Sequence, residues 1–211
     1  MKDDDVAIVY WSSGTTGIPK GIQHTVKYIR KMFTNMREMN PKIPSKAVYL
    51  TTTCFFHVGG FLAPLDIKNG SRQYLFNHGP DMESNRSDIK IAEFLYEQIH
   101  HYRPFVFIGG SHHVVLLSQN DPPIDKSFDL NSVMAVMPMG SSVPSTVFEG
   151  LKKNLKMMLF VYNAYGMTEL SSVLTLSLDV KFLGSVAEGA MIKIVDLNSG
   201  NLCGPNEVMI I

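Results

Sequence analysis

The chain has 211 residues, of which 45% are hydrophobic and 18% are charged, a composition typical of a globular protein with room for one substantial domain. Lysine plus arginine and aspartate plus glutamate both total 19, so the formal net charge is zero. Without a basic excess to neutralise phosphates, we expect no nucleic-acid partner. No apolar run reaches membrane-spanning length, and residues 1–5 do not resemble a signal peptide.

The two cysteines, Cys54 and Cys203, lie far apart in different sequence contexts. Such sparse use of cysteine is typical of a reducing compartment. We therefore expect both thiols to be free and the protein to be intracellular.

Strand-like and helix-like segments alternate along the chain. Strands are predicted at 6–10 (within the apolar run 6–11, which indicates a buried strand), 47–53, 72–76, 105–108, 133–137, 158–162 and 193–196. Helices are predicted at 24–40, 87–101, 113–119 and 144–155, and a turn at 198–201. This alternation predicts an α/β fold with a layered, largely parallel sheet. Ligands of such sheets bind beyond the carboxyl ends of the strands.

Two of the predicted helices have an apolar face at helical spacing. In the first, basic residues occupy the wet face and the apolar side carries Val26, Ile29, Phe33, Met36 and Met39. In the second, Ser87 is the predicted N-cap and the inward residues are Ile89, Ala92, Leu95 and Ile99.

The loop Ser12–Gly21 is the most informative segment because it combines four hydroxyl residues, three glycines and one lysine. Glycines let backbone N–H groups approach a ligand, and hydroxyls and a lysine add donors and positive charge, which suits a polyphosphate. A flexible linker has a similar composition. A Walker loop places its lysine directly after a glycine, whereas Ile18 and Pro19 separate Gly17 from Lys20, so a P-loop NTPase is disfavoured.

Tyr10–Gly21 closely resembles the phosphate-binding motif of the adenylate-forming superfamily, which contains acyl-CoA synthetases, 4-coumarate–CoA ligases, beetle luciferases and amino-acid adenylation domains. Tyr162–Glu169 resembles the adenine-and-AMP motif of the same superfamily. Two such motifs in the right order are much more specific than either alone. The resemblance implies the layered parallel-sheet core of the superfamily's large domain, incomplete at both ends over residues 1–211.

The resemblance implies a role for each matching residue. The phosphate-binding residues would be Ser12, Ser13, Gly14, Thr15, Thr16, Gly17 and Lys20. The residues around adenine and the α-phosphate would be Gly140, Ser141, Asn163, Ala164, Tyr165, Gly166 and Thr168. Glu169 would bind Mg²⁺, and the catalytic set would be Lys20, His57, Thr168 and Glu169. The residue pattern alone also allows a strand followed by a helix, capped by Thr168.

His57 belongs to an aromatic-histidine element, Phe55–Gly60, that resembles the wall of the superfamily's acyl pocket. Without the resemblance, a core role for this histidine would be favoured. Two neighbouring elements depart from the superfamily pattern: Met139 and Ser142 flank the small turn residues, and 109–111 replaces a valine-proline element. We therefore expect a pocket wall that differs from those of the relatives.

The histidine pairs at 100–101 and 112–113 suggest a metal site at first sight. Adjacent helical residues project in different directions, and no cysteine or carboxylate cluster accompanies them. Surface or core roles are favoured over zinc.

The resemblance implies ATP-dependent activation of a small carboxylic acid, followed by thioesterification to coenzyme A, with ATP or AMP, Mg²⁺ and coenzyme A as cofactors. The alternatives are a luciferase-like monooxygenase and an inactive nucleotide-binding remnant. The compartment implied is cytoplasmic or peroxisomal, and the oligomeric state is left open.

The superfamily's ribose-binding aspartate, its hinge and the small C-terminal domain with its catalytic lysine have no counterpart in this sequence. We therefore predict negligible acyl-CoA formation by the purified 211-residue chain. The measurement is thioester formation with Mg·ATP, coenzyme A and a panel of acids, and detectable turnover would contradict the prediction.

Overall fold

A computed structural model of the chain describes residues 1–12, 18–39, 43–54, 57–61, 71–75, 87–119, 125, 127–170 and 172–204, without the side chains of 35–39, 61 and 172. The predictions for Ser13, Gly14, Thr15, Thr16 and Gly17, and for 55–56, lie outside the described residues.

In the described part of the chain, the strands form one parallel sheet and two smaller antiparallel sheets. The strands in chain order are β1 Val6–Ser12, β2 Lys20–Thr25, β3 Val48–Thr51, β4 Arg72–Leu75, β5 Val106–Gly110, β6 Ala135–Met139, β7 Phe160–Val161, β8 Asn163–Met167, β9 Ser172–Ser177 and β10 Ser185–Val186. The helices are α1 Val26–Met39, α2 Val58–Phe61, α3 Asp88–Tyr102, α4 Ser111–Ser118 and α5 Ser145–Asn154.

The main sheet has five strands in the order β4-β3-β5-β6-β7, and every neighbouring pair is parallel. The chain passes from β3 to β4 on one side and then returns to β5 on the other side. The strand order therefore reverses between β3 and β5, which is the topological switch point of the sheet. The predicted parallel α/β core is confirmed.

Both faces of this sheet are buried, as the continuous apolar runs of its strands predict. Phe107 and Val136 face a cluster formed with α3, α4 and α5, in which Leu95, Leu117 and Leu151 are fully buried. Alternate residues of the same strands face a second cluster on the other side of the sheet: Tyr49, Val106, Ile108, Ala135 and Met137. Ligand-binding groups can therefore reach solvent only at the ends of these strands.

Strands β1 and β2 form a separate antiparallel hairpin that pairs Ser12 with Lys20 and Tyr10 with Ile22. The prediction of a buried strand at 6–11 is therefore wrong in its burial: Val9 is 44% exposed and Trp11 is 70% exposed. The apolar run hides an alternation in which only every second residue faces the protein. The outward ring of Trp11 lies beside Gly21 of the opposite strand.

Strands β8, β9 and β10 form a three-stranded antiparallel sheet. Helix α1 packs against it, because Ile29 and Met32 of the helix form a cluster with Val173 of β9. The strand predicted at 193–196 is wrong, because its only ladder contact among the described residues is an isolated bridge between Val195 and Leu202. The turn predicted after it is present, with Gly200 at a φ of 71°.

Four of the described helices lie close to their predicted positions, whereas α2 has no counterpart among the predictions. Ser87 stands at the N-cap of α3, but its side chain makes no capping hydrogen bond. Ile89 is 48% exposed, because it lies in the first turn, and Ile91 and Tyr96 are buried instead. In α1 the predicted Val26 and Ile29 are buried, and Met36 and Met39 lie outside the described side chains.

Both cysteines are free thiols, as predicted. In the part of the chain that the structure describes, no helix has both the length and the apolar composition needed to cross a membrane.

Gly150 allows α5 to pack closely against the end of α4, because a Cβ atom there would lie 2.3 Å from the carbonyl oxygen of Ser118. Helix propensity alone would make Gly150→Ala stabilising by about 1 kcal/mol. We predict instead a loss of about 1–3 kcal/mol in the free energy of unfolding, measured by urea titration, because of the overpacking. Lys153→Ala, at an exposed position of the same helix, is the control. A Gly150→Ala variant as stable as the parent would contradict this packing.

Candidate active site

The switch point between β3 and β5 is held together by a buried hydrogen-bond network. The N–H of Thr52, just beyond β3, donates to Ile108 O at 2.9 Å. The Thr52 Oγ1 accepts the N–H of Gly110 at 3.2 Å and lies 3.0 Å from His113 Nδ1. Both Thr52 and His113 are buried. His113 therefore has the core role that the sequence favoured, and the network fixes the spacing of the two strand ends.

A second hydroxyl network joins the carboxyl ends of β5 and β6. Ser111 Oγ lies 2.8 Å from Ser141 O and 3.1 Å from Met139 O, and it accepts the N–H of Ser141 at 3.2 Å. The hydroxyl of Ser141 also lies 2.9 Å from that of Ser111. Gly140 has a φ of 97°, and a Cβ atom there would meet no atom of the described residues within 4 Å, its chain neighbours aside. The turn at Gly140 and Ser141 is thus open to a ligand and anchored by Ser111.

His57 lies in the segment after β3, so it is at the same carboxyl-terminal end of the parallel strands as these turns. Its Nδ1 accepts the N–H of Gly59 at 3.0 Å, so the neutral ring carries its hydrogen on Nε2. Desolvation by the surrounding protein lowers the pKa of His57 from its ordinary value, although the side chain is exposed. Met139 Cε would lie 3.1 Å from a Cβ atom at Gly59. Met139 therefore brings the Gly140 turn next to the His57 loop.

The hairpin brings two of the predicted phosphate-binding residues together at its open end. Ser12 and Lys20 are paired across the ladder, so their side chains project from the same face. That face also carries Ile8, Tyr10 and His24, of which Tyr10 and His24 are buried. Ser12 and Lys20 therefore stand at the edge of the inner face of the hairpin, with the ammonium group of Lys20 exposed.

The second motif lies on β8, a strand of the small antiparallel sheet, and ends in a 3₁₀ helix at Thr168–Leu170. Both motifs are expected directly after strands of the main sheet; this holds for the second motif, which follows β7, and is wrong for the first, because β1 belongs to the antiparallel hairpin. Tyr165 is 42% exposed, and Gly166 and Glu169 are exposed beside it. Three residues of 3₁₀ helix do not provide the dipole of a regular helix, so any anion site here depends on side chains.

Hydrogen bonds hold the two motifs against each other. His24 Nε2 lies 2.9 Å from Thr168 O, and the hydroxyl of Tyr28 donates to Leu170 O. The imidazole of His24 stacks on the ring of Tyr28, with centroids 5.3 Å apart. Sequence reasoning missed both residues, because a histidine and a tyrosine beyond a glycine-rich loop do not reveal the partner segment far along the chain.

The other predicted residues of this motif have mainly internal contacts. Asn163 Nδ2 donates to Phe182 O at 2.8 Å and to Val180 O at 3.2 Å, which ties the loop after β9 to β8. Ala164 packs against the cluster of α1 and β9, as does Met139. Met139 also packs against the cluster of Tyr49, Ile108 and Met137 on the parallel sheet, so it links the hairpin half of the site with the switch-point half.

Glu169 is the predicted magnesium ligand. The described residues contain no group of three or more histidine, cysteine, aspartate or glutamate side chains that could hold a metal ion. A lone exposed carboxylate nevertheless fits Mg²⁺, since this ion is commonly bound by one or two carboxylates together with substrate phosphates and water. The metal would therefore enter with a nucleotide.

The comparisons with known proteins identify the class of protein. The sequence model of the family described as AMP-binding enzyme matches residues 1–208. The chain belongs to this family, and its fold is that of the large domain of adenylate-forming enzymes.

Two relatives illustrate the range within the family. The chain is 26% identical to luciferin 4-monooxygenase of Photuris pensylvanica over 216 residues, which cover 98% of this chain and 36% of the relative. It is 29% identical to 4-coumarate–CoA ligase 2 of Nicotiana tabacum over 225 residues, which cover 98% of this chain and 38% of that ligase. The chain thus spans well under half of the length of these relatives.

Solved structures show the same fold. The chain matches o-succinylbenzoate coenzyme A synthetase of Bacillus subtilis in complex with AMP with a TM-score of 0.74 at 20% identity, covering 98% of this chain and 40% of the synthetase. It matches a luciferase-like enzyme of the nonluminescent mealworm Zophobas morio with a TM-score of 0.72 at 21% identity, covering 98% of this chain and 47% of that enzyme. The predicted fold class is therefore confirmed.

We predict that Thr52→Val lowers the free energy of unfolding by about 1–3 kcal/mol, because the partly buried N–H of Gly110 loses its acceptor while the side-chain volume stays nearly constant. The matched control is Thr175→Val: Thr175 is also buried, and its hydroxyl has no hydrogen-bond partner among the described residues. Chemical denaturation of both variants checks the difference. Equal stabilities of the two variants would contradict a structural role for the switch-point network.

Proposed function

We propose that this protein activates a small carboxylic acid with ATP and then transfers the acyl group to the thiol of coenzyme A. In the first step a carboxylate oxygen attacks the α-phosphorus of ATP, and the bond to pyrophosphate breaks. In the second step the thiol sulfur attacks the acyl carbon, the bond to AMP breaks and the thiol loses its proton. The protein would thus be an acid–thiol ligase of the acyl-CoA synthetase and 4-coumarate–CoA ligase type.

The observation that carries the proposal is the position of the hairpin. Its inner face holds Ser12 and Lys20 at one end and contacts the Thr168–Leu170 turn through His24. Ser12 and Lys20, which flank the predicted polyphosphate loop, therefore lie on the hairpin face that contacts the turn carrying the Thr168 hydroxyl and the Glu169 carboxylate. A nucleotide placed between them would have its phosphates on the hairpin side.

Lys20 and the hydroxyls of Ser12, Ser13, Thr15 and Thr16 would bind the β- and γ-phosphates. Negative charge builds up on the pyrophosphate as it leaves, so fixed donors there stabilise the transition state more than the ground state. The backbone N–H groups of Gly14 and Gly17 would add further donors. Lys20 would contribute the full charge, since its side chain reaches solvent at the open end of the hairpin.

Tyr165 would stack on adenine, with Gly140, Ser141, Asn163, Ala164 and Gly166 forming the surrounding backbone and turn surfaces. The exposed face of Tyr165 and the open space beside Gly140 support this arrangement. The hydroxyl of Thr168 would contact the α-phosphate and the carboxylate of Glu169 would hold Mg²⁺. The bound metal would withdraw electron density from the phosphate oxygens.

His57 would lie beside the carboxylate substrate. Its lowered pKa keeps the ring neutral at pH 7, and the Gly59 N–H already bonded to Nδ1 leaves the Nε2–H as a donor to a substrate oxygen. A neutral donor can orient the carboxylate without neutralising the nucleophile. The polar turn at Ser111 and Ser141 would shape the acid pocket.

A luciferase-like monooxygenase is the second candidate, because the similarity to the Photuris luciferase covers nearly the whole chain. Such an enzyme shares the adenylation step and then consumes oxygen. An inactive nucleotide-binding remnant is the non-enzymatic alternative. For the ligase we propose an intracellular location, cytoplasmic or peroxisomal, which a tagged native protein would reveal.

ATP–pyrophosphate exchange with the full native protein tests the adenylation step. The acid panel should contain 4-coumarate, o-succinylbenzoate, fatty acids, amino acids and luciferin. Exchange with one acid, followed by thioester formation, supports the ligase, whereas light emission with luciferin and oxygen supports the monooxygenase. Nucleotide binding without exchange would leave only the remnant.

We predict that Lys20→Ala and Glu169→Gln each lower the rate of exchange by about 10²–10³-fold, because each removes charge that acts on the phosphates in the transition state. Lys153→Ala and Glu149→Gln, both at exposed positions of α5, are the charge-matched controls. The initial rate at saturating acid is the measurement. Full activity in either site variant would refute its assigned role.

A further inference from the structure

We propose that His24 is a positioning residue that transmits the geometry of the phosphate-binding hairpin to Thr168 and Glu169. This inference rests on the proposed function and extends it to a residue outside the two motifs. Its basis is the contact of a buried imidazole on β2 with the backbone of the turn that carries the predicted nucleotide ligands.

The imidazole is buried and its hydrogen bond has a defined direction. His24 is only 4% exposed, and the distance from its Nε2 to Thr168 O is 2.9 Å. A carbonyl oxygen accepts hydrogen bonds only, so Nε2 must carry the hydrogen. Burying a polar ring is unfavourable unless it is hydrogen-bonded, so the contact strongly favours one position of the turn relative to the strand.

Two aromatic rings, one stacked and one tilted, hold the imidazole in this orientation. The ring of Tyr28 stacks on one side at 5.3 Å and 22°, and the ring of Tyr10 lies at 6.1 Å and 57°. The hydroxyl of Tyr28 donates a hydrogen bond to Leu170 O, so Tyr28 also binds the last residue of the Thr168–Leu170 turn. Burial raises the pKa of both tyrosines, that of Tyr10 to about 12, so both stay neutral at working pH.

The Thr168–Leu170 turn has few hydrogen bonds within itself. It is a 3₁₀ helix of three residues, and such short helices have few hydrogen bonds of their own. Its position is therefore set by its neighbours, among which are the hairpin and β9. Since Thr168 and Glu169 are the first two residues of the turn, movement of their backbone would displace the hydroxyl and the carboxylate.

Lys20 and His24 lie four residues apart on β2 and project from the same face. One rigid strand therefore carries both the predicted phosphate lysine and the group that fixes the α-phosphate side of the site. A change at His24 should alter nucleotide binding more than binding of the carboxylic acid, whose proposed pocket is formed at His57 and Ser111 on the parallel sheet.

The test compares His24→Leu, His24→Gln and Gln23→Leu in the full native protein. Glutamine can replace the Nε2–H donor, leucine cannot, and Gln23 is an exposed residue on the opposite face of the strand. For His24→Leu we expect the affinity for a fluorescent ATP analogue with Mg²⁺ to fall about 5- to 50-fold. The KM for the acid should stay within about twofold, His24→Gln should recover most of the affinity, and Gln23→Leu should match the parent.

Unchanged nucleotide affinity in His24→Leu, or equal losses in His24→Leu and His24→Gln, would overturn the inference. If His24→Leu fails to fold, Tyr28→Phe removes only the hydroxyl bonded to Leu170 and should still weaken nucleotide binding and speed amide hydrogen exchange at 168–170. If Tyr28→Phe then shows the parent's nucleotide affinity and the parent's rate of amide hydrogen exchange at 168–170, the inference is overturned. A parent protein that neither binds ATP nor exchanges pyrophosphate would instead refute the proposed function, a result separable from the variant series.

Discussion

Burial of both faces of the five-stranded parallel sheet is the constraint on which the rest of the structure depends. Its strands are filled with apolar side chains on both sides, so polar groups can appear only where the strands end. The order of the strands reverses between β3 and β5, and this reversal opens a gap between the loops that follow them. Thr52, His113 and Ser111 lie at this gap. Their side-chain hydrogen bonds connect the chain segments where the backbone pairing of the strands ends.

The second half of the candidate site is built on different principles. The hairpin and the β8–β10 sheet are small, and each buries only one side, so neither could hold a ligand in place alone. They become a defined structure because α1 packs between them and because His24 and Tyr28 bind the backbone of the opposing turn. Met139, at the end of β6, packs against one cluster of the parallel sheet and against the cluster of α1 and β9, and so joins the two halves.

Much of the fold could be predicted because periodicity and burial agree in the parallel sheet. Continuous apolar runs at 105–108 and 133–137 lie close to β5 and β6, which are buried on both faces. The same rule failed at Val9 and Trp11, because an apolar run does not distinguish a strand covered on both faces from one covered on a single face. It failed again at Ile89, where the apolar spacing continues into the first turn of α3, beyond the surface that buries the rest of that helix.

The candidate site was predictable only where its residues form contiguous motifs. The resemblance identified the family through 10–21 and 162–169, but local pattern could not reveal that His24 meets Thr168, because 144 positions of sequence separate them. Ser111 belongs to a segment that departs from the superfamily pattern, but its hydrogen bond with Ser141 depends on β5 and β6 lying side by side in the sheet.

The exposed side of the hairpin has an optical consequence. Trp11 is the only tryptophan in the sequence, it is 70% exposed, and Ser12 of the proposed phosphate-binding loop follows it directly. The tryptophan emission of this chain therefore comes from a single indole beside that loop. If the loop rearranges around a nucleotide as proposed, the polarity around this indole would change, and Trp11 would report binding without an added label.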